Sequence, residues 1–188
     1  MGRWEPDARA RLEQAALELY GERGFEQTTV AEIAGRAGLT ERTFFRHFAD
    51  KREVLFGGAG MLAELLTRSV AEAPDATAPI DTVATALVAI ASLLEGRRDI
   101  SRRRQAIIDA HPELQERELI KLASLAALLA QALRRRGVSD PAASLAAEAG
   151  IAVFKIAFVR WIDAANEADL AHIIRASLDQ LKAVTAGN

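Results

Sequence analysis

Residues 28–51, TTVAEIAGRAGLTERTFFRHFADK, contain two short helix-forming segments separated by a glycine turn. Thr29 and Glu32 have the spacing of a capping box, in which each residue satisfies a free backbone amide of the other, and Thr40 can cap a second helix. Gly38 lies between the two segments, and glycine adopts the left-handed backbone conformation at little cost. The pattern predicts two helices joined by a sharp turn.

The apolar residues of this segment fall on one face of each predicted helix, 30–37 and 41–47. The small Ala34 permits a close crossing, and Phe44 and Phe48 can fill it. The residues left facing outward on the second helix are Glu41, Arg42, Thr43, Phe45, Arg46 and His47. Because this set is rich in donors for phosphate oxygens and base edges, the segment is interpreted as a helix-turn-helix whose second helix enters the major groove of DNA.

The segment resembles the DNA-binding signature of the tetracycline-repressor (TetR) family of bacterial regulators. The resemblance extends upstream through a predicted helix at about 7–23, which is followed by Gly24 and Phe25. It implies an all-α protein of about nine helices. An N-terminal three-helix domain with the helix-turn-helix, residues 1–50, would precede a larger helical effector-binding and dimerisation domain, residues 51–188.

The resemblance also implies which side chains contact DNA. Arg42 and Thr43 would face the bases, and Arg46 would reach either a base or a phosphate. Phe45 stands where the family usually has tyrosine, so we expect it to stack on a sugar or a methyl group. Phosphate contacts are expected from Thr28 or Thr29, His47 and Lys51, although local capping is an equal alternative for Thr28. The full predicted set is Thr28, Thr29, Thr40, Arg42, Thr43, Phe45, Arg46, His47 and Lys51.

Composition sets limits on the kind of protein. Half of the 188 residues are hydrophobic, which is enough for a substantial core, and the formal net charge of −2 excludes a bulk polycation. DNA affinity must therefore come from local charge, and residues 28–52 carry five Lys or Arg against three Asp or Glu. The absence of cysteine excludes disulfides and agrees with a reducing cytoplasm.

No membrane association is expected from the sequence. The start, MGRWEPD, lacks the apolar region of a secretion signal, and the longest uncharged stretch, 82–94, has 13 residues. We therefore expect a soluble cytoplasmic protein.

The last two predicted helices, 141–165 and 168–185, carry apolar faces that are expected to pair with a second copy of the chain. A symmetric dimer would place two recognition helices in successive major grooves, about 34–36 Å apart, and would read a palindromic operator. The predicted interface residues are Val153, Ile156, Trp161, Leu170, Ile173, Ile174, Leu178 and Leu181. The alternative is that both helices belong only to the core of one subunit.

The middle helices are expected to hold a small-molecule effector. The run GRRDISRRR, residues 96–104, is either a solvated face or an anion site, and with the sequence that follows it resembles a TetR subgroup with an acyl-CoA-like ligand-binding domain. The predicted effector residues are Leu93, Arg102, Arg103, Ile107, Leu122, Leu125, Phe154 and Phe158. Glycines 57, 58 and 60 are expected to weaken a helix predicted at 51–72 and to form a hinge.

The sequence therefore predicts a ligand-responsive transcriptional regulator, most simply a repressor that acts as a homodimer, without metal or cofactor. One rival is a helical acyl-CoA-binding enzyme with no DNA-binding role. The three histidines, at 47, 111 and 172, show no ligand spacing and no nucleophile elbow is present, so no catalytic residue is assigned. A second rival, a helical assembly scaffold, leaves the outward Arg42, Arg46 and Lys51 unexplained.

Overall fold

The structure is a computed structural model that describes residues 8–187, and this part of the chain is helical with no β-strand. The helices are α1 Ala8–Arg23, α2 Val30–Arg36, α3 Glu41–His47, a short 3-10 turn Glu53–Phe56, α4 Ala59–Glu72, α5 Pro79–Leu94, α6 Arg98–Asp109, α7 Pro112–Arg135, α8 Asp140–Ile162 and α9 Leu170–Ala186. The all-α prediction and the three-helix N-terminal arrangement are confirmed.

Two compact units divide the chain. The first contains the residues up to Gly58 together with Arg103–Glu118, and the second contains Ala59–Arg102 and the residues from Leu119 onward. The division therefore differs from the boundary predicted at residue 50. Ile108 near the end of α6 and Leu114 near the start of α7 are fully buried in the core of the first unit. The apolar pattern of α6 and α7 indicates that they bury a face, but it does not indicate in which core.

The first unit is built around α1, which packs on α2, α3 and the 3-10 turn. Leu12 and Leu19 of α1, Ile33 of α2 and Phe44 of α3 are almost completely buried in its core. Gly57 allows a close approach at the end of this unit, because a Cβ there would lie 3.0 Å from Cε1 of Phe48. These contacts fix α3 on α1 and leave the opposite face of α3 exposed.

The second unit has α5 at its centre, in contact with α4, α8 and α9. Gly150 of α8 permits this packing, because a Cβ there would overlap Cγ1 of Val83 in α5. Leu87 and Ile90 of α5 and Ile174 of α9 are buried in the same core. The small residue at position 150 thus brings two backbones together.

The helix predicted at 51–72 is not continuous. The chain forms the 3-10 turn Glu53–Phe56, turns at Gly57 and Gly58, and begins α4 at Ala59. Glycine lowers helix stability, and here the glycines separate two elements instead of bending one. The two units also divide between Gly58 and Ala59.

Two segments have the length and apolar composition of a membrane span, namely Glu53–Glu72 and Asp140–Ile162. The longest uncharged stretch, 82–94, from which no membrane span was expected, includes neither segment. Glu53–Glu72 is broken by the turn just described, and α8 buries eight residues, including Val153 and Trp161, within the second unit.

Candidate nucleic-acid interface and effector region

Local hydrogen bonds set the ends of α2 and the turn that follows it. Thr29 and Glu32 form the predicted capping box: Oγ1 of Thr29 accepts from the Glu32 amide at 3.3 Å, and the Glu32 carboxylate accepts from the Thr29 amide at 2.9 Å. The hydrogen bond from the Thr29 amide, followed by the one that the Thr29 hydroxyl donates to the same carboxylate, lowers the pKa of Glu32. Gly38 has φ +66°, and the Leu39 amide donates to the Ala34 carbonyl at 2.8 Å. The turn between the helices therefore has the predicted geometry.

The outer face of α3 carries side chains suited to DNA. Arg42 and Arg46 are exposed, and Phe45 exposes 55% of its surface. Thr40 caps α3 by accepting from the Thr43 amide at 3.2 Å, and the two hydroxyl oxygens lie 3.1 Å apart. Because large apolar side chains are usually buried, the exposed aromatic ring between two arginines is an unusual surface that a flat partner can cover.

Lys51 and Thr28 do not point outward as predicted. The Lys51 ammonium donates to the carbonyl oxygens of Phe25, Glu26 and Thr28 at 2.9, 3.1 and 3.1 Å, and it lies 4.6 Å from the centre of the Phe25 ring. Thr28 is 1% exposed and its hydroxyl donates to the Gly24 carbonyl at 2.8 Å. Since an ammonium has three donors, Lys51 has none left for a phosphate. The predicted phosphate contacts of both residues are therefore revised to structural ones.

His47 at the end of α3 is half-buried, and its Nε2 atom is buried without a hydrogen-bond partner among the described residues. Burial, followed by the charges of Arg46 and Arg9, lowers the pKa of His47 below its ordinary value. Because Nε2 is buried, it cannot make the predicted phosphate contact in this arrangement, and the ring lies beside Phe48, whose ring centre is 6.5 Å away.

Two arginines that the sequence analysis did not assign hold the 3-10 turn in place. Arg117 donates through Nε to the Glu53 carboxylate at 2.7 Å. Arg104 donates to the Leu55 carbonyl and lies 5.2 Å from the centre of the Phe56 ring. Burial lowers the pKa of Arg104, and its ion pair with Glu118 opposes this effect. The partners in these two contacts are separated by 49 and 64 positions in the sequence, so no local pattern indicates them.

Most of the predicted dimer residues lie inside the second unit. Val153, Trp161, Leu170, Ile173, Ile174 and Leu178 are each at most 6% exposed, and Leu181 packs against the same core. They face α5 and the neighbouring helix of the α8–α9 pair, so the prediction that this stripe faces another subunit is corrected. Of the predicted residues, only Ile156 is well exposed, at 58%. A strongly apolar stripe indicates burial, but not whether the covering surface belongs to the same chain.

A different stripe on α8 is open. Leu145, Ile156 and Val159 expose 71%, 58% and 61% of their surfaces, and Ala149 and Ala152 lie between them. These positions are separated by four, three, four and three residues, which is the spacing of the seam in a coiled coil.

The predicted effector residues are distributed over both units. Arg103 and Ile107 belong to the first unit, whereas the remaining predicted residues belong to the second. Phe154 and Phe158 are half-buried with ring centres 5.8 Å apart, and both pack against the second core. The members in the second unit are Leu93, Arg102, Leu122, Leu125, Phe154 and Phe158.

Three arginines of the run in and before α6, Arg98, Arg102 and Arg104, donate hydrogen bonds to backbone carbonyl groups of the same chain. Arg98 donates to the carbonyl oxygens of Asp163 and Asn166, and Arg102 donates through Nε to that of Ile162 at 2.7 Å. These two arginines satisfy carbonyl groups at and beyond the C-terminus of α8, where cations are favoured. Arg102 therefore has a structural role that its assignment to an effector site did not anticipate.

Comparison with known proteins identifies the family. Residues 13–56 match the model of bacterial regulatory proteins of the tetR family, and residues 77–186 match the model of the MftR C-terminal domain. The chain belongs to the TetR family. It is therefore a DNA-binding transcriptional regulator and not an enzyme, and the enzyme alternative has no support.

Several TetR-family relatives are similar over much of the chain. Repressor Rv3405c of Mycobacterium tuberculosis is 31% identical over 77% of this chain and 68% of its own length. MftR of the same species, named for mycofactocin biosynthesis, is 28% identical over 72% of this chain and 69% of its own length. TcmR of Streptomyces glaucescens is 35% identical over 44% of this chain, and the match spans 36% of TcmR.

Solved structures of two TetR-type regulators have the same fold. FadR of Bacillus subtilis, in complex with stearoyl-CoA, aligns with a TM-score of 0.64 and 20% identity over 92% of this chain and 96% of its own. A SmeT–triclosan complex aligns with a TM-score of 0.67 and 21% identity over 95% of this chain and 91% of its own. At these identities the likeness establishes the fold.

Proposed function

We propose that this TetR-family regulator is a cytoplasmic repressor that binds a palindromic operator as a homodimer and changes its DNA affinity when a small effector binds. The observation that carries the proposal is the outer face of α3, where Arg42 and Arg46 flank the exposed Phe45. Exposing an aromatic ring beside two arginines that have no ion pair within residues 8–187 adds nothing to the stability of the fold. A DNA groove covers all three at once.

The proposed DNA contacts follow from exposure and hydrogen bonding. Arg42 and Arg46 reach base edges or phosphates with their guanidinium groups, and Phe45 packs on a sugar or a thymine methyl. Thr29, Thr40 and Thr43 keep hydroxyl groups at the N-termini of α2 and α3, where helix dipoles favour phosphate. His47, Lys51 and Thr28 act indirectly by fixing the positions of these helices.

The proposed dimer uses the open stripe of α8. Two copies of Leu145, Ile156 and Val159 would pack around a two-fold axis, with the alanines between them allowing close approach. Val184, which exposes 70% of its surface on α9, would extend the same interface. The proposed dimer thus retains the helices predicted from the sequence and Ile156, but replaces the buried predicted residues with exposed ones.

The proposed effector site lies in the second unit around Phe154 and Phe158, with Leu93, Leu122 and Leu125 as further apolar contacts. FadR and SmeT, which share the fold, hold stearoyl-CoA and triclosan in their solved structures. Both ligands have large apolar parts. We propose an effector with an apolar or acyl-CoA-like body for this protein.

Fluorescence anisotropy with labelled duplexes tests the DNA-binding part directly. Operators would first be selected from a random pool, and the wild type would then be compared with Arg42→Gln and Arg46→Gln. We expect each change to weaken binding by roughly 10-fold or more, since a bidentate base contact contributes about 1–3 kcal/mol. Arg97→Gln, an exposed arginine in the second unit, is the matched control and should leave affinity unchanged. Equal loss in all three variants would contradict the assignment of α3.

A further inference from the structure

A concave region lies entirely within the first unit, the unit that contains α2 and α3. It is a groove of about 440 Å³, formed by the C-terminal half of α1, the turn after it and the second half of α6. Its size is in the range of about 300–1,000 Å³ that accommodates small ligands. It is distinct from the proposed effector residues of the second unit, and only Arg103 and Ile107 of the predicted effector set line it.

The lining is mostly apolar and is kept open by small residues. Leu17, Tyr20 and Phe25 come from the side of α1, and Ile107 comes from α6. Gly21, Gly24, Ala106 and Ala110 also line the groove, and a Cβ added at Gly21 or Gly24 would meet no atom within 4 Å. The groove is therefore unfilled space beside apolar surface.

One cation on this groove is available to a ligand. Arg98, Arg102 and Arg104 donate to carbonyl groups of their own chain, whereas Arg103 is exposed and has no hydrogen bond or ion pair with any residue in the range 8–187. A guanidinium fork suits a carboxylate. Glu26 lines the same groove and repels a second acidic group. Charge and lining together favour an apolar molecule with a single carboxylate.

The groove adjoins the side chains that set the start of α2. Phe25 lines it and makes edge contacts with Tyr20 and His111, both at 5.1 Å between ring centres. The Lys51 ammonium lies over the Phe25 ring and bonds to the carbonyl of Phe25 itself. A molecule that packs on Phe25 therefore contacts a residue whose carbonyl group is bonded to Lys51 in the turn before α2.

We propose that this groove is a second ligand site, which takes a monocarboxylate with an apolar aromatic or alkyl body, held by Arg103 and packed on Phe25 and Ile107, and that its occupancy weakens operator binding. The regulatory half of this proposal rests on the DNA-binding function proposed above. The binding half does not, because it is measured without DNA.

Titration of the full chain with 2-naphthoate and with decanoate, followed by methyl NMR, tests the site. The Ile107 methyl resonance should shift on saturation while that of Ile156, on the open face of α8, stays in place. The uncharged 2-naphthalenemethanol should bind at least about 10-fold more weakly, because it loses the charge-assisted hydrogen bonds to Arg103. No shift of Ile107 with either acid at millimolar concentration would overturn the proposal.

Two variants with matched controls locate the binding. Arg103→Gln should weaken 2-naphthoate binding by roughly 10-fold, and Ala106→Trp, which fills the groove, should abolish the Ile107 response. Arg97→Gln and Ala127→Trp place the same changes on exposed positions of the second unit and should bind as the wild type does. Undiminished binding by both groove variants would overturn the site.

Operator affinity measured with and without saturating 2-naphthoate tests the regulatory half. We expect at least about fivefold weaker binding with the acid for the wild type, which is the lower end of ordinary coupling between sites, and no change for Ala106→Trp. Equal affinity with and without the acid in the wild type would overturn the coupling. Operator binding by the wild type without ligand separates that failure from failure of the proposed DNA-binding function.

Discussion

At the scale of single residues, Lys51 has the most consequential position. Its ammonium is fully used by three carbonyl oxygens of the turn between α1 and α2, and the Tyr20 hydroxyl donates to the Lys51 carbonyl at 2.6 Å. The side chain therefore joins the segment after α3 to the segment before α2. Its contribution to DNA binding is to hold two short helices in one arrangement.

Replacing Lys51 with methionine tests this assignment. We expect lower thermal stability and weaker operator binding, because three carbonyl groups, two of them partly buried, lose their donor. The dependence of log Kobs on log salt should keep the wild-type slope, since no phosphate contact is lost. Arg46→Gln is the contrasting variant and should reduce the slope by about 0.9. A reduction of that size for Lys51→Met would restore the phosphate assignment.

His47 should make stability depend on pH. Its folded-state pKa is lowered, chiefly by burial, so the unfolded chain binds its proton more tightly. The resulting loss of folding stability is absent above the ordinary histidine pKa of about 6.5 and grows as the pH falls below that value. In thermal melts between pH 7.5 and about 5, the wild type should therefore lose stability relative to His47→Gln as the pH falls. A constant difference across this window would contradict the prediction.

At the scale of elements, the tightest packing lies between α5 and α8. Gly150 faces Val83, whose β-branched side chain has few alternative rotamers, so an added methyl group there cannot be accommodated by a simple rotation. The backbones of α5 and α8 must then separate. Neighbouring core residues such as Leu87 would lose contacts as a result.

Gly150→Ala should destabilise the protein by about 1–3 kcal/mol, in spite of the higher helix propensity of alanine. Gly60→Ala is the matched control, because Gly60 lies in α4 and a Cβ there meets no atom within 4 Å. We expect the control to be neutral or to gain up to about 1 kcal/mol. Denaturant unfolding of both variants checks the pair. A stabilised Gly150→Ala would show that the close approach is absent.

Most element boundaries could be predicted from the sequence because caps and breakers act locally. Thr29, Thr40 and Gly38 fix α2, α3 and their turn through bonds between near neighbours. The end of α8 was predicted three residues too late. Asp163 stops that helix with a β-type backbone and accepts from the Ala165 amide, which composition alone does not indicate.

The candidate site was predictable where exposure follows from a local pattern, and not where partners are distant. The outward positions of Arg42, Phe45 and Arg46 follow from helical spacing within α3. The inward direction of Lys51 depends on carbonyl groups 23 to 26 residues earlier in the chain. The same reason explains why the α9 stripe was assigned to a second subunit instead of to α5.

At the scale of the whole molecule, the proposed function depends on two copies of the chain, each presenting its α3 helix to DNA. The exposed heptad stripe of α8 offers the surface for pairing, with Leu145, Ile156 and Val159 as its large residues. In a two-fold symmetric dimer the same surface of both subunits forms the interface, so one substitution changes it at two places.

Ile156→Glu should convert the dimer to a monomer, raising the dissociation constant by roughly 100-fold or more, because two carboxylates would be buried without partners. Ile120→Glu is the matched control, since Ile120 has the same exposure of 58% but lies on α7. Sedimentation velocity distinguishes the two. Dissociation by the control, with Ile156→Glu still dimeric, would move the interface to α7.

Operator recognition by a dimer is measured most directly by sequencing the duplexes that the protein selects from a random pool. We expect enrichment of inverted half-sites whose centres lie about one helical turn, or a multiple of it, apart. We also expect that Ile156→Glu loses this two-fold pattern and that Arg42→Gln relaxes preference at a defined position in each half-site. No enrichment at low salt, or an unpaired site recognised equally well by all three proteins, would contradict operator recognition by a dimer.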